Sequence, residues 1–217
     1  MNKIMSSMEA IGHVKDGDVI MIGGFLQGAT PEFLLQSLLN TKIKDLTIIS
    51  NDTGTGETST IKLQQAGRVV KVIASYIGAN TETVAMIMRD PASVQLVPQG
   101  TLAERIRSGG AGLGGFLTPT GIGTITEQGK QILSIEGKEY LLETPLRADV
   151  ALVHAAIVDE IGNCFMRGSS KNFNALMPQA ADFSIVEAEK VVPVGELDPE
   201  MITVPGLFID AIVKVGK

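Results

Sequence analysis

Short apolar runs alternate with helix-like stretches along the first half of the chain. The runs are rich in Val and Ile, which is typical of strands buried on both faces of a parallel sheet. The predicted strands in this half are residues 19–22, 46–50, 69–75 and 94–97, and the predicted helices are residues 6–14, 33–39, 59–66, 81–88 and 101–107. Strands that alternate with helices at this spacing predict an α/β fold with a parallel sheet covered on both faces.

The alternating pattern breaks at Ser108. No charged residue occurs from Ser108 to Thr126, a stretch rich in glycine. Two further strand-like segments flank a Glu-Gly-Lys-Glu sequence at residues 136–139, which predicts a β-hairpin outside the main sheet near residues 131–143. The predicted core strands then resume at residues 149–153, 183–187 and 208–213. The chain has no internal repeat and no linker, so we expect a single domain over residues 1–217.

Charge and composition exclude several functional classes. The net charge is −6 and the isoelectric point is about 5.0, and no basic stripe could neutralise nucleic-acid phosphates. The longest apolar run, residues 19–26, contains two glycines and is far shorter than the roughly 20 residues that cross a membrane. His13 and His154 have no His or Cys near them in sequence, so we expect no metal site. The single cysteine, Cys164, cannot form an intrachain disulfide, which suits a reducing compartment, and we expect a cytoplasmic protein.

A glycine-rich loop follows the first predicted strand. Gly23, Gly24 and Gly28 precede a helix for which Thr30 is the expected N-cap and Pro31 the first helical residue. Ligands of parallel sheets bind beyond the carboxyl ends of strands, where the amides of helix N-termini attract anions or polarised oxygens. The loop is therefore either a ligand-binding loop or only a sharp turn, and the pattern alone does not choose between them.

A second glycine-rich segment, residues 110–115, matches the G-x-G-x-x-G pattern of dinucleotide-binding proteins. That fingerprint requires a strand before it and a helix after it. Here a predicted helix precedes the segment, so we reject a dinucleotide clamp and expect a flexible loop or one that contacts a ligand through its backbone. An NAD(P)-binding oxidoreductase is kept only as a remote alternative.

Gln99 is a candidate catalytic residue, because it lies between the predicted strand at residues 94–97 and the next predicted helix. Its side-chain amide could donate to an oxyanion, or it could only stabilise a turn. Thr101 and Glu104 have the spacing of a capping box at the start of that helix. The polar segment at residues 171–174 could bind a ligand, but we expect its asparagines to cap the next segment.

Five ordered segments of the chain resemble signatures of the family I (3-oxoacid) CoA-transferases. They are residues 16–25 (DGDVIMIGGF) followed by Thr30-Pro31, residues 97–102 (VPQGTL), residues 109–112 (GGAG), residues 119–124 (PTGIGT) and residues 171–174 (KNFN). Each segment alone is weak, but together they are highly specific and cover about residues 16–206. One departure is Ala29, where the family signature usually has glycine.

The resemblance implies an open, three-layer, mostly parallel α/β fold, which these enzymes share with ribose-5-phosphate isomerase-like proteins. It also implies covalent catalysis: a glutamate attacks an acyl-CoA, forms an anhydride and then a glutamyl-CoA thioester, and a second carboxylate takes the CoA. In the family this glutamate belongs to the β subunit, and the 217 residues of this chain match only the other half. We therefore expect an α subunit that is active only with a β subunit, in an α2β2 heteromer. Coenzyme A would be a substrate, with no further cofactor and no metal.

By motif match, Gln99 would support the oxyanion during the partner's chemistry. The loop that binds CoA or the acyl group would consist of Gly23, Gly24, Phe25, Leu26, Gln27, Gly28 and Ala29. The Asn51-Asp52-Thr53 sequence resembles the acetate/butyrate–acetoacetate transferases, which favours an acetyl or butyryl donor and an acceptor such as acetoacetate. The alternatives are a succinyl- or 3-oxoadipate-type transferase, whose members more often have Asn-Asn-Ala there, and a sugar-phosphate isomerase or non-catalytic subunit with the same fold.

Overall fold

The computed structural model describes residues 3–26 and 28–216 of the chain. The strands are β1 (Val19–Ile22), β2 (Leu46–Asp52), β3 (Val69–Tyr76), β4 (Val94–Leu96), β5 (Phe116–Thr118), β6 (Ile132–Ile135), β7 (Lys138–Glu143), β8 (Ala148–Asp159), β9 (Cys164–Phe165), β10 (Ala181–Val192) and β11 (Ala211–Lys214). The α-helices are α1 (Ser7–Ile11), α2 (Glu32–Leu39), α3 (Ser59–Gln65), α4 (Thr81–Arg89), α5 (Gln99–Gly110) and α6 (Phe173–Leu176).

The main sheet is parallel in the order β11-β10-β8-β1-β2-β3-β4, and β9 pairs antiparallel with β8. Successive side chains of a strand point to opposite faces, so Ile20 and Ile22 of β1 enter one core and Met21 enters the other. Helices α1 to α4 cover the first core, for example through Leu34 and Leu38, whereas α5 and α6 cover the second. The sheet therefore lies between two helical layers, and the predicted α/β fold is confirmed.

A smaller antiparallel sheet, in the order β5-β7-β6, is inserted in the chain between α5 and β8. Strands β6 and β7 form a hairpin in the region where one is predicted, but its turn is tighter. Glu136 and Gly137 have φ values of 52° and 78°, and β7 already begins at Lys138. Two adjacent positive φ values are typical of a two-residue hairpin turn. Strand β5 was not predicted, because its three residues are too few to show a period.

A buried ion network ties the small sheet to helix α5. Glu143, at the end of β7, is buried, and its Oε2 lies 3.9 Å from Nε of Arg105 on α5. Oε1 of Glu143 pairs with the ammonium of Lys130. Nε of Arg105 also donates to the carbonyl oxygen of Thr144 at 2.7 Å. A buried carboxylate needs such partners, so the network fixes the small sheet to the helix that begins at Gln99.

Helix α5 begins earlier than the sequence predicts. Pro98 occupies the N-cap with φ −51°, a value already close to that of a helix, and Gln99 is the first helical residue. The capping box predicted for Thr101 and Glu104 is therefore wrong, and Glu104 instead pairs with Arg107 at 2.7 Å. The correction places Gln99 inside the first turn of the helix rather than in front of it.

The predicted bounds of four other elements are wrong as well. Helix α2 begins at Glu32 with Pro31 at its N-cap, so Thr30 is not the cap. Strands β8 and β10 have 12 residues each and extend well beyond the predicted segments, because they pair with each other along most of their length. The last strand is β11 rather than residues 208–213, because Gly206–Phe208 forms a 3-10 turn.

Candidate functional site

The glycine-rich loop that follows β1 lies at the topological switch point of the main sheet. Strand β1 leads to β2 on one side, whereas β8, its other neighbour, leads to β10 and β11 on the opposite side. Ligands of open parallel sheets bind in the crevice at such a point, beyond the carboxyl ends of the strands. Within the loop, Gly24 has φ 119°, and a Cβ there would lie 2.6 Å from Oγ1 of Thr30. Gln27, another residue of the predicted loop, lies outside the described residues.

Gly23 is required by the close approach of Asn174 from helix α6. A Cβ at Gly23 would lie 1.8 Å from Oδ1 and 2.6 Å from Cγ of Asn174. The buried Oδ1 of Asn174 accepts a hydrogen bond from the backbone N–H of His154 at 2.9 Å, and Nδ2 donates to the carbonyl oxygen of Ala29 at 3.0 Å. Asn172, at the N-cap of α6, makes no side-chain capping bond. The expectation that these asparagines cap the next segment is therefore wrong, since Asn174 clamps the loop to β8.

The loop itself is a tight turn. The N–H of Phe25 donates to the carbonyl oxygen of Gly28 at 3.0 Å, and the N–H of Gly28 donates to that of Phe25 at 2.9 Å. Leu26 and Ala29 have φ values of 53° and 55°, a conformation that costs a residue with a Cβ roughly 1–2 kcal/mol. This cost explains why glycine suits the position of Ala29. The side chains of Phe25 and Leu26 are 43% and 42% exposed, so the loop presents apolar surface to solvent.

A chain of hydrogen bonds connects the loop to Gln99. The N–H of Leu26 donates to Oδ2 of Asp52 at 2.7 Å. Nδ2 of Asn51 donates to the same oxygen at 2.8 Å, and Nε2 of Gln99 donates to Oδ1 of Asn51 at 2.6 Å. Ser75 of β3 supports the chain, because its hydroxyl lies 2.7 Å from the carbonyl oxygen and 2.9 Å from Oδ1 of Asn51. The structure thus brings together the two predicted parts of the site, the loop and Gln99.

Sequence reasoning assigned no site role to Asn51 and Asp52, the last two residues of β2. Both side chains are buried. The signal that could have identified them is a polar pair that directly follows an apolar strand, at the edge where parallel sheets bind ligands.

Gln99 and Phe25 of the loop also line a common surface cavity of about 440 Å³. Its other walls include Gly100, Ala103, Lys171, Phe173 and Leu176. The amide nitrogen of Gln99 carries two hydrogens. One is donated to Asn51, which leaves the second for a ligand oxygen.

A buried carboxyl group caps the helix that follows the loop. Oε2 of Glu187, on β10, accepts a hydrogen bond from the backbone N–H of Leu34 in the first turn of α2 at 3.0 Å. Burial raises the pKa of Glu187 to about 7. The hydrogen bonds from Leu34 and Phe33 oppose that shift of the pKa, and the charge of Glu32 adds to it. The first turn of the helix that follows the loop is therefore hydrogen-bonded to a carboxyl group with a pKa of about 7.

Cys164 is buried in the core, whereas His154 is partly buried near the loop. Burial raises the pKa of the Cys164 thiol to about 12, so its reactive thiolate is scarce at neutral pH. Burial also lowers the pKa of His154, although a carboxylate oxygen of Glu189 lies 3.4 Å from Nε2.

Among residues 3–26 and 28–216, no cluster of His, Cys, Asp and Glu could hold a metal ion. In the same ranges, no helix has the length and apolar character needed to span a membrane.

The second glycine-rich segment has the wrong context for a dinucleotide. Helix α5 ends at Gly110 and β5 begins at Phe116, whereas the dinucleotide fingerprint lies between a strand and a helix. Gly109 and Gly115 instead permit close packing. A Cβ at Gly109 would lie 2.0 Å from the carbonyl oxygen of Leu146, and one at Gly115 would lie 2.5 Å from a backbone oxygen of β7. These two glycines therefore serve the junction between α5 and the small sheet.

Comparisons with known proteins point to one family. A profile of the coenzyme A transferase family matches residues 4–215. The chain is 50% identical over 211 residues to the acetate CoA-transferase subunit alpha of Escherichia coli K12, covering 97% of this chain and 96% of that protein. It is 54% identical over 200 residues to the acetoacetyl-CoA:acetate/butyrate CoA transferase alpha subunit of Clostridium acetobutylicum, covering 92% of each.

The fold is similar to that of a solved acyl-CoA transferase from Escherichia coli O157:H7, crystallised as a thioester complex with CoA. The TM-score is 0.88 at 20% identity, and the match covers 99% of this chain and 47% of that one. This chain therefore spans about half the length of that protein, and the likeness shows the fold. The family profile and the two relatives cover nearly the whole sequence. The chain belongs to the coenzyme A transferase family.

Proposed function

We propose that this chain is the α subunit of a CoA-transferase that moves coenzyme A between a short-chain acyl-CoA, acetyl or butyryl, and a carboxylate such as acetoacetate. Two relatives that share about half of its residues are named for acetate, butyrate and acetoacetyl-CoA. The structural observation that carries the proposal is the cavity shared by Gln99 and Phe25 of the glycine-rich loop. An acyl group placed there would have an amide donor for its carbonyl oxygen and apolar walls for its short chain.

The attacking glutamate is assigned to a partner β subunit, because the relatives are named as α subunits. Its carboxylate adds to the thioester carbonyl to give a tetrahedral oxyanion. The C–S bond then breaks, CoA leaves as a thiolate, and a mixed anhydride of the acyl group and the glutamate remains. The thiolate then attacks the glutamyl carbonyl and expels the first carboxylate. A second carboxylate reverses both steps and takes the CoA. The amide of Gln99 would stabilise the oxyanion of these additions, and closure of the site would protect the intermediates from water.

The proposal includes the state in which the chain works. It would act as one domain, residues 1–217, in an α2β2 heteromer in the cytoplasm, with coenzyme A as substrate and without further cofactor or metal. Light scattering on the co-expressed subunits tests the stoichiometry, since a mass of two copies of each chain is expected. A fully active complex with the mass of one copy of each chain would contradict the α2β2 assignment.

Reconstitution tests the division of labour between the subunits. The purified chain alone should not transfer CoA from acetyl-CoA or butyryl-CoA to acetoacetate, and addition of a matching β subunit should start the transfer. Turnover by the chain alone would show that the nucleophile is misassigned. The same assay with succinyl-CoA and 3-oxoadipate separates the proposed donors from the succinyl- and 3-oxoadipate-type alternatives.

The oxyanion role of Gln99 is tested in the reconstituted complex. Gln99→Ala should lower kcat by on the order of 10²-fold, as removal of an oxyanion donor does in other enzymes. Gln36→Ala is the matched control, because Gln36 is an exposed glutamine of α2. Equal rates for the two variants would reduce Gln99 to a structural residue of the turn.

A further inference from the structure

We propose that Asp52 is a positioning residue that sets the direction of the Gln99 amide through Asn51. The inference rests on the proposed function, because it explains how the oxyanion donor would be oriented. Its basis is a chain of two hydrogen bonds: Nε2 of Gln99 donates to Oδ1 of Asn51 at 2.6 Å, and Nδ2 of Asn51 donates to Oδ2 of Asp52 at 2.8 Å. Asp52 touches neither the cavity of Gln99 nor the amide of Gln99 directly.

The chemistry of a carboxylate determines the direction of each hydrogen bond in the chain. An ionised carboxylate only accepts hydrogen bonds, whereas a primary amide donates at nitrogen and accepts at oxygen. Asn51 must therefore turn its NH2 group to Asp52 and its oxygen to Gln99. Gln99 must in turn direct its NH2 group to Asn51, which keeps the second hydrogen of that group for a ligand. A flipped Gln99 would place two acceptor oxygens against each other.

Asp52 is itself held in place by the backbone on both sides. Oδ2 accepts the N–H of Leu26 at 2.7 Å, and Oδ1 accepts the N–H of Gly54 at 3.0 Å. The side chain is buried, so these hydrogen bonds replace the water that the carboxylate loses. Because one oxygen of Asp52 serves both Leu26 and Asn51, the same carboxylate sets the position of the glycine loop and the direction of the amide donor.

The substitution Asp52→Asn changes the hydrogen-bonding capacity of the side chain but hardly changes its size. Asparagine has nearly the size of aspartate, but one of its two terminal groups is a donor. At this position that donor would face either the N–H of Gly54 or the donors of Leu26 and Asn51. The direction of the chain is then no longer specified, and Gln99 can present its oxygen to the substrate instead of its nitrogen.

The experiment is a double-mutant cycle in the reconstituted complex. Asp52→Asn should lower kcat by on the order of tenfold or more, with a smaller change in KM, because a misdirected donor fails mainly in the transition state. In the Gln99→Ala background the same substitution should change kcat less than about twofold, because the donor it directs is already gone. Independent, multiplicative losses would overturn the proposal and would mean that Asp52 acts only through the loop.

Asp159→Asn is the matched control. Asp159 is also buried and accepts from the backbone N–H of Asn163 at 2.8 Å and from its Nδ2 at 2.7 Å. A comparable loss of thermal stability with unchanged kcat in Asp159→Asn would exclude a general effect of removing a buried charge. Equal losses of kcat in both variants would contradict a specific role for Asp52.

A second variant covers the case in which Asp52→Asn does not fold. Asn51→Ala removes the link between Asp52 and Gln99. It leaves intact the hydrogen bonds that Asp52 accepts from the backbone N–H groups of Leu26 and Gly54. It should show the same lack of additivity with Gln99→Ala, and additive losses would again overturn the inference. Failure of the proposed function is distinguishable, because normal turnover of Gln99→Ala alone would remove the oxyanion role itself.

Discussion

The substitution Gly23→Ala tests the clamp that holds the glycine loop to the sheet. The added Cβ would lie 1.8 Å from Oδ1 of Asn174, far inside van der Waals contact. Either the Asn174 side chain or the loop backbone must move. Asn174 cannot move without loss of its hydrogen bonds to the N–H of His154 and to the carbonyl oxygen of Ala29.

The cost of Gly23→Ala follows from those two contacts. Each buried polar group left without its partner costs about 1–3 kcal/mol, so the two lost bonds together should lower the free energy of unfolding by about 2–6 kcal/mol. Gly100→Ala provides the matched control, because a Cβ there meets no atom within 4 Å and the residue lies in helix α5. That control should be neutral or stabilising by up to about 1 kcal/mol.

Urea unfolding of the chain measures both free energies. A double-mutant cycle then identifies the cause. In an Asn174→Ala background the contacts with Oδ1 and Cγ are absent and only the 3.3 Å contact with Cα of residue 174 remains, so the penalty of Gly23→Ala should fall to about 1 kcal/mol. A penalty for Gly23→Ala as small as that for Gly100→Ala would refute the clamp. An undiminished penalty in the Asn174→Ala background would show that the strain arises elsewhere in the loop.

Three further predictions concern buried ionisable groups. The pKa of Glu187 is raised to about 7, so the folded state loses stability as pH rises from about 4.5 to about 7. Glu187→Gln should remove up to about 3 kcal/mol of that loss, as measured by urea unfolding across this pH range. The Cys164 thiol, with its pKa raised to about 12 by burial, should react with iodoacetamide only after unfolding, as followed by mass spectrometry. Arg105→Met should cost about 1–3 kcal/mol in thermal unfolding, because the carbonyl oxygen of Thr144 loses its donor while Lys130 still pairs with Glu143. The control Arg107→Met, at an exposed pair, should cost less than about 1 kcal/mol.

The strands of the sheet could be predicted because a strand that is buried on both faces appears in the sequence as a continuous run of apolar residues. Strand β1, for example, has no polar position and has the bounds that its apolar run predicts. The ends of β8 and β10 could not be predicted in this way. Beyond its predicted end, each of these strands continues through polar residues such as His154 and Lys190, which remain in the sheet because β8 and β10 pair with each other there. Sequence periodicity reports burial, whereas strand length also depends on pairing partners.

The components of the candidate site were partly predictable for the same reason. Gly23 and Gln99 follow predicted strands, and their positions at the carboxyl edge follow from the parallel fold. The residues that connect them could not be found in this way, because Asn51 and Gln99 are 48 positions apart. In addition, β3 separates β2, which contains Asn51, from β4, which precedes Gln99. Strand order across a sheet is a tertiary property that no local pattern contains.

The loop conformation therefore depends on residues from distant parts of the chain. Asn174 holds its end at Ala29 and approaches its start at Gly23, while Asp52 holds its middle at the N–H of Leu26. Two non-glycine residues in the left-handed region would not persist without such contacts, because each costs roughly 1–2 kcal/mol. All of these contacts lie within this one chain. It follows that the described residues of the proposed acyl-binding loop are held in position by contacts within this chain, and the proposed partner subunit would only have to bring its glutamate to that surface.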